Sequence, residues 1–297
     1  MTVHLPIAVQ KQIGRLTTQL VALLGDGCAV VLHGSLALGE FVPGQSDLDV
    51  LVVCSEALTV AQVRALAQVL LAESLQPAPI EVSVLERGAL AAWVHPAPYL
   101  FHYSEDWRDR TTQLLADPAT DWLAVHTDPD LTVHVVVARQ AGIVLHGSVD
   151  WPVPSRADAL AAVWYDIATA VDDVVDNPVY VILNVCRTLW WLEHGVVLSK
   201  SAGGVALLST LTGDTREVVA AVLAARFAVR EATMKALGVG LGAFDFKDVS
   251  VVSSESGRPM LNVEGRARDL ARECGVSAWH VSITHTEHLA MAVVTAE

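Results

Sequence analysis

The chain has 297 residues, 53% hydrophobic and 18% charged, which is enough apolar material for one large packed domain or two ordinary ones and excludes general disorder. Nineteen Lys and Arg stand against 33 Asp and Glu, a net charge of −14 that argues against a nucleic-acid backbone or an anionic membrane as partner and suits a cationic one. The acid is uneven, with 11 basic and 24 acidic residues in 1–225 but 8 and 9 in 226–297, a step that marks a candidate domain boundary.

The first 27 residues lack the basic start, continuous apolar core and small-residue cleavage site of a secretory signal. Ile7, Val9, Ile13, Leu16, Leu20, Leu23 and Leu24 recur at helical spacing instead, and Gly25 and Gly27 stop the helix. A strand over Ala29–His33 runs into a Gly34-Ser35 turn. Further strands are expected at Leu48–Cys54 and Ile80–Leu85, with a helix at Val60–Ser74 between them. Residues 91–120 read as loop, and from Asp121 to Ala225 the pattern is chiefly helical, punctuated by Trp151–Ser155 and Gly203-Gly204. After Arg226 come a helix, a glycine cluster (Gly238, Gly240, Gly242), short alternating strands and a Val-rich final strand. No run reaches the ~18 apolar residues of a spanning helix, so a cytoplasmic location is expected. Cys28, Cys54, Cys186 and Cys274 are far apart in mostly apolar contexts and read as buried free thiols.

The chemistry concentrates in VVLHGSLALGEFVPGQSDLDVLVV. On a strand, residues i and i+2 share a face, so Asp47 and Asp49 converge while Leu48 and Val50 enter the core. Two carboxylates so close repel unless a cation lies between them, and magnesium takes carboxylate and phosphate oxygens with water completing its shell. Gly34 lets a phosphate approach the backbone and Ser35 adds a hydroxyl donor. Glu81, on the expected next strand, has the direction to join the pair as metal ligand or as base for an attacking hydroxyl. A lone Asp-x-Asp more often caps a turn or ends a strand. The Gly-Ser turn upstream and the third acid beside it favour the chemical reading.

Gly-Ser, a short spacer and Asp-hydrophobic-Asp resemble the signature of the nucleotidyltransferase superfamily. HGSLALGEFVPGQSDLDVLVV, IEVSVLERG and FHYSEDWRDR together resemble the streptomycin/spectinomycin adenylyltransferases, which modify aminoglycoside hydroxyls. NVCRTLWWLEHGVVLSKSAGGVALLSTL resembles their C-terminal helical domain, so the likeness covers residues 10–225. It implies that ATP lies in a cleft with its triphosphate on Mg2+, that a sugar hydroxyl attacks the α-phosphorus and that pyrophosphate leaves. Mapped by resemblance, Asp47 and Asp49 are metal ligands and Glu81 is the third acid and general base. Gly34, Ser35 and Ser46 line the ATP, and Arg187 and Lys200 reach its triphosphate. A polycationic substrate calls for acids and aromatic walls, for which Glu105, Asp106, Trp107, Asp172, Asp173 and Asp176 are the candidates. Each of these acids has an ordinary reading as a solvated loop residue. His102 and His126 show no metal-ligand spacing and are expected to be structural.

The tail is different. RFAVREATMKALG, FDFKDVSVV and HVSITH resemble the C-terminal part of holo-acyl-carrier-protein synthase, the small 4′-phosphopantetheinyl transferase. By that resemblance Glu231 binds magnesium, Lys235 serves the reaction, and His280 and Ser282 lie in the region that binds coenzyme A. The opening Gly-hydrophobic-Asp strand of that family is not found, so the tail reads as an N-terminally truncated fragment. It has either residual transfer activity on an acyl carrier protein or a non-catalytic role in self-association. The expected architecture is therefore an α/β nucleotidyltransferase domain (1–120), an all-α helical domain (121–225) and a small α+β tail (226–297).

Overall fold

The computed structural model describes residues 5–44, 46–168, 170, 178–240, 243–244, 248–253, 258–285 and 290–297. Contacts divide the chain into two units, 1–168 and 169–297.

The first unit opens with helix α1 (Ile7–Leu24), strand β1 (Ala29–Leu32) and the short helix α2 (Gly34–Ala37). Strand β2 (Leu48–Cys54), helix α3 (Val60–Glu73), strand β3 (Ile80–Glu86) and helix α4 (Arg87–Ala91) follow. Strands β4 (Ala97–Tyr99) and β5 (Phe101–Tyr103), a 3-10 turn at Glu105–Trp107 and helix α5 (Arg108–Ala116) fill the segment expected to be loop. Strand β6 (His126–Asp128), helix α6 (Leu131–Ala141), strand β7 (Ile143–His146) and helix α7 (Arg156–Ile167) complete the unit.

Five strands form a mixed sheet in the order β5-β3-β2-β1-β7. Only β2 and β3 run parallel, as a strand–helix–strand crossover through α3 requires; β1 is antiparallel to both β2 and β7, and β5 to β3. The strands bury both faces. Val30, Leu32, Val50, Val52, Val82 and Val84 pack with α1 and α3, whereas Ala29, Val31, Leu51, Val53 and Leu85 pack with Leu131, Val135 and Ala138 of α6. Thr59 caps α3 in a reciprocal capping box with Gln62. Buried Gln12 then holds the turn after α3: its Nε2 donates to the carbonyls of Glu73 and Ala78 at 2.8 Å, and its Oε1 accepts from the Ala78 N–H at 3.0 Å.

Residues 143–146 belong to this sheet, so the α/β unit extends past the boundary expected at 120, and the stretch expected to be helical contains β6 and β7. Gly142 ends α6, and the β-branched Ile143-Val144 pair then finds the free edge of β1. A methyl at Gly142 would lie 2.3 Å from the Ala138 carbonyl.

The second unit contains helices α8 (Pro178–His194), α9 (Lys200–Leu207) and α10 (Gly213–Ala236), then β8 (Val249–Ser253), β9 (Pro259–Val263), α11 (Gly265–Glu273), β10 (Trp279–His285) and β11 (Ala290–Ala296). The β8–β9 and β10–β11 pairs are antiparallel. One continuous α10 crosses the junction expected at 225/226. Its first half packs Val219 with Cys186 and Leu207, and its second half packs Val229 and Met234 with Val249, Ala267 and Ala271. Cys28, Cys54 and Cys186 are buried free thiols as expected; Cys274 corrects that reading, being exposed at the end of α11. Among the described residues no helix is long and apolar enough to cross a membrane.

Candidate active site

The site forms at one end of the sheet, on the face covered by α6. Asp49 lies in a strand whose next same-face residues, Leu51 and Val53, are core, so its backbone is fixed by packing. The His33 N–H donates to the Asp49 carbonyl at 2.9 Å, and the Ser35 N–H lies 3.3 Å from Asp49 Oδ2. Gly34 takes φ +60°, and a Cβ there would stand 1.8 Å from Asp49 Oδ2, so only glycine admits the aspartate. Ser35 Oγ is buried with no hydrogen-bond partner among the described residues. An unpaired buried hydroxyl in a half-buried turn beside a carboxylate suits a phosphate oxygen. Ser46, expected at the ATP, closes its own loop: its Oγ accepts from the Val42 N–H at 3.0 Å.

Glu81 stands directly beside Asp49 in the parallel β2–β3 register. Burial pushes its carboxyl up to about 7; His134 opposes that rise, while Asp49, Asp130 and Asp47 add to it. Among the described residues no three His, Cys, Asp or Glu side chains form a closed metal cage. A magnesium ion that draws two ligands from Asp47 and Asp49 and the rest from phosphate and water needs no such cage, so these residues fit that ion.

Sequence reading missed three neighbours. His134 on α6 places Nε2 at 3.2 Å from Asp130 Oδ2 and Nδ1 at 4.0 Å from Glu81 Oε1. Its ring lies 5.0 Å from that of buried His33, the residue before the Gly-Ser turn. Burial works against the charged form of His134, but Asp130, Glu81 and Asp49 outweigh it and raise its pKa to about 10. Burial and the nearby His134 push His33 well below its ordinary value. The Asp130/His134 spacing of i,i+4 was visible; that this helix face overlies Asp49 was not.

The presumed substrate wall divides. Glu105 is tied into structure: its carboxylate accepts from Arg108 Nε at 2.8 Å, from the Tyr103 hydroxyl at 3.0 Å and from Ser74. Trp107 meets His102 edge-on at 5.1 Å, and the Arg110 guanidinium lies 4.4 Å above its ring. His102 Nδ1 bonds Ser83 Oγ at 2.9 Å, two residues along β3 from Glu81. His126 stacks on Tyr99 at 5.7 Å. Asp106 is exposed, and Asp172, Asp173 and Asp176 lie outside the described residues.

In the second unit Arg187 Nε donates to buried Asn184 Oδ1 at 2.6 Å, and Lys200 Nζ sits 3.7 Å from the Tyr180 ring centroid. Gly203 lets α9 close onto α8, since a Cβ there would be 2.5 Å from Arg187 Cα. Glu231 and Lys235 pair at 2.8 Å on α10. His280 Nε2 lies 3.6 Å from Glu297 Oε1, and Ser282 is exposed on β10.

Comparison with known proteins matches residues 15–99 to a nucleotidyltransferase domain, 151–239 to the C-terminal domain of aminoglycoside adenylyltransferase, and 201–294 to the 4′-phosphopantetheinyl transferase superfamily. The last two overlap over 201–239, so the phosphopantetheinyl-transferase likeness begins well before the expected Arg226. The spectinomycin adenyltransferase AAD(9) from Enterococcus faecialis, solved with ATP and spectinomycin, superposes with a TM-score of 0.59 at 22% identity, covering 72% of this chain and 88% of that one, a likeness of fold. Holo-acyl-carrier-protein synthase of Moorella thermoacetica is 48% identical over 77 residues, 26% of this chain and 60% of the relative. That of Treponema denticola is 37% identical over 116 residues, 39% of this chain and 93% of the relative. The Streptomyces avermitilis protein is 49% identical over 85 residues, 29% of this chain and 67% of the relative. The chain thus carries a nucleotidyltransferase domain and the C-terminal domain of the aminoglycoside adenylyltransferases, and its C-terminal part belongs to the holo-acyl-carrier-protein synthase family.

Proposed function

We propose that the chain transfers AMP from ATP to a hydroxyl of an aminoglycoside of the streptomycin/spectinomycin type. The observation that carries this reading is the Gly34–Ser35 turn closed against Asp49, with Glu81 in register beside it. Asp47 and Asp49 would hold Mg2+, which when bound neutralises phosphate charge and orients the triphosphate. Ser35 Oγ donates to a phosphate oxygen, and Gly34 keeps the approach open. Glu81 takes the proton of the attacking hydroxyl as the new O–P bond forms at the α-phosphorus and the bond to the β-phosphate oxygen breaks. Trp107 offers an aromatic face to a substrate cation, the role its ring already plays for Arg110. ATP, Mg2+ and streptomycin or spectinomycin should together yield pyrophosphate, and Asp47→Asn should abolish it. No release with any aminoglycoside, or full activity in Asp47→Asn, would overturn the reading.

A second activity rests on the 93% of the Treponema relative's length that this chain spans. In this reading the C-terminal part moves 4′-phosphopantetheine from coenzyme A to an acyl carrier protein, with Glu231 as magnesium ligand and Lys235, His280 and Ser282 around the coenzyme. Mass spectrometry of apo-carrier protein after incubation should show the added group, absent with Glu231→Ala; an unmodified carrier removes this activity.

A further inference from the structure

His134 stands beside Glu81 and is left unused by the adenylyl-transfer chemistry. Glu81 and Asp49 occupy paired positions on adjacent parallel strands, roughly 4.8 Å apart across the sheet. The register fixes the Glu81 backbone beside Asp49 but not the rotamer of its long side chain. His134 stands on the other side. Its Nε2 is anchored at 3.2 Å to Asp130 Oδ2, one helical turn earlier on α6, and its ring is buttressed at 5.0 Å by buried His33. That leaves Nδ1 facing Glu81 Oε1 at 4.0 Å. The helix itself cannot slide, because Leu131, Val135 and Ala138 lock it onto the sheet through Ala29, Val31, Leu51 and Val53.

We propose that His134 is a positioning residue: braced by Asp130 and His33, it holds the Glu81 carboxylate in the orientation from which it serves the reacting hydroxyl. The consequence for turnover rests on the adenylyl-transfer reading; the geometric claim does not. Misplacing a reacting group by about 1 Å costs on the order of a hundredfold in rate, so loss of the brace belongs in kcat.

The test compares full-length wild type with His134→Leu by crystallography and by steady-state pyrophosphate release. In the leucine variant the Glu81 carboxylate should turn away from α6 by about 1 Å or more. Its kcat should fall at least about tenfold, with KM for ATP within about twofold, and His134→Gln should recover part of the loss. If the leucine chain does not fold, His134→Asn, polar but too short to reach Glu81, replaces it in both measurements. An unmoved Glu81 in the variant that folds, or a change confined to KM, overturns the proposal. If wild type releases no pyrophosphate, the functional reading fails and the Glu81 position alone decides the role of His134.

Discussion

Gly34 is the tightest point of the site. Alanine there would be held in a left-handed conformation costing about 1–2 kcal/mol and would collide with Asp49, so the aspartate has to move. Gly34→Ala is therefore expected to lower pyrophosphate release about a hundredfold or more, with thermal unfolding shifted by only several degrees. Glu105 belongs to stability instead. Burial opposes its ionisation, but the donors Arg108, Ser74 and Tyr103 outweigh that and hold its pKa below the ordinary 4.5. A carboxylate with a depressed folded-state pKa contributes stability above its unfolded pKa and loses it as pH falls through the folded one. Glu105→Gln should cost about 1–2 kcal/mol in urea unfolding at pH 7, and the gap should narrow as pH falls below the ordinary carboxylate range. The face of Asp49 was legible because strand periodicity sets which residues of one strand point together, whereas Asp47 lies just before β2 and Glu81 meets Asp49 only through the β2–β3 register. Glu105 misled because a loop acid looks the same in sequence whether it faces a ligand or a buried tyrosine.

At the scale of elements, α10 decides how the two C-terminal likenesses join. A charge step and a change of motif at 225/226 suggested a seam, yet Val219 and Met234 are buried in neighbouring cores along one helix. The end of the helical domain is the first helix of the tail. Ala224 is exposed in the middle of α10, so proline there removes no buried side chain and acts on the backbone alone. Ala224→Pro should cost about 3 kcal/mol, and both flanking cores should melt earlier by circular dichroism and limited proteolysis. Loss confined to one side would mean two independent modules. The short strand β7 shows the converse limit. Ile143–His146 follows a helix in an apolar run, and only the unpaired edge of β1 makes it a strand.

For the molecule as a whole, the net −14 matters to the proposed adenylyl transfer more than to the fold, because an acidic surface would draw in a polycation. Raising ionic strength from about 20 to about 300 mM should increase KM for a multiply charged aminoglycoside several-fold, because the Debye length shrinks below the span of the acidic surface. A KM indifferent to salt would leave the acidity without a role in binding. The sequence by itself determined strands β1, β2 and β3, the glycine turn and the presence of two family signatures. The strands and the turn follow from local periodicity and turn chemistry, and the signatures from residue types at fixed spacings along the chain. The tertiary structure decided what depends on distant segments meeting: the packing of α6 that brings Asp130 and His134 against Glu81, the recruitment of β7 to the sheet, the closing of Glu105 by Ser74 and Arg108, and the sharing of α10. Those contacts join residues tens of positions apart through burial and charge, which no local pattern records.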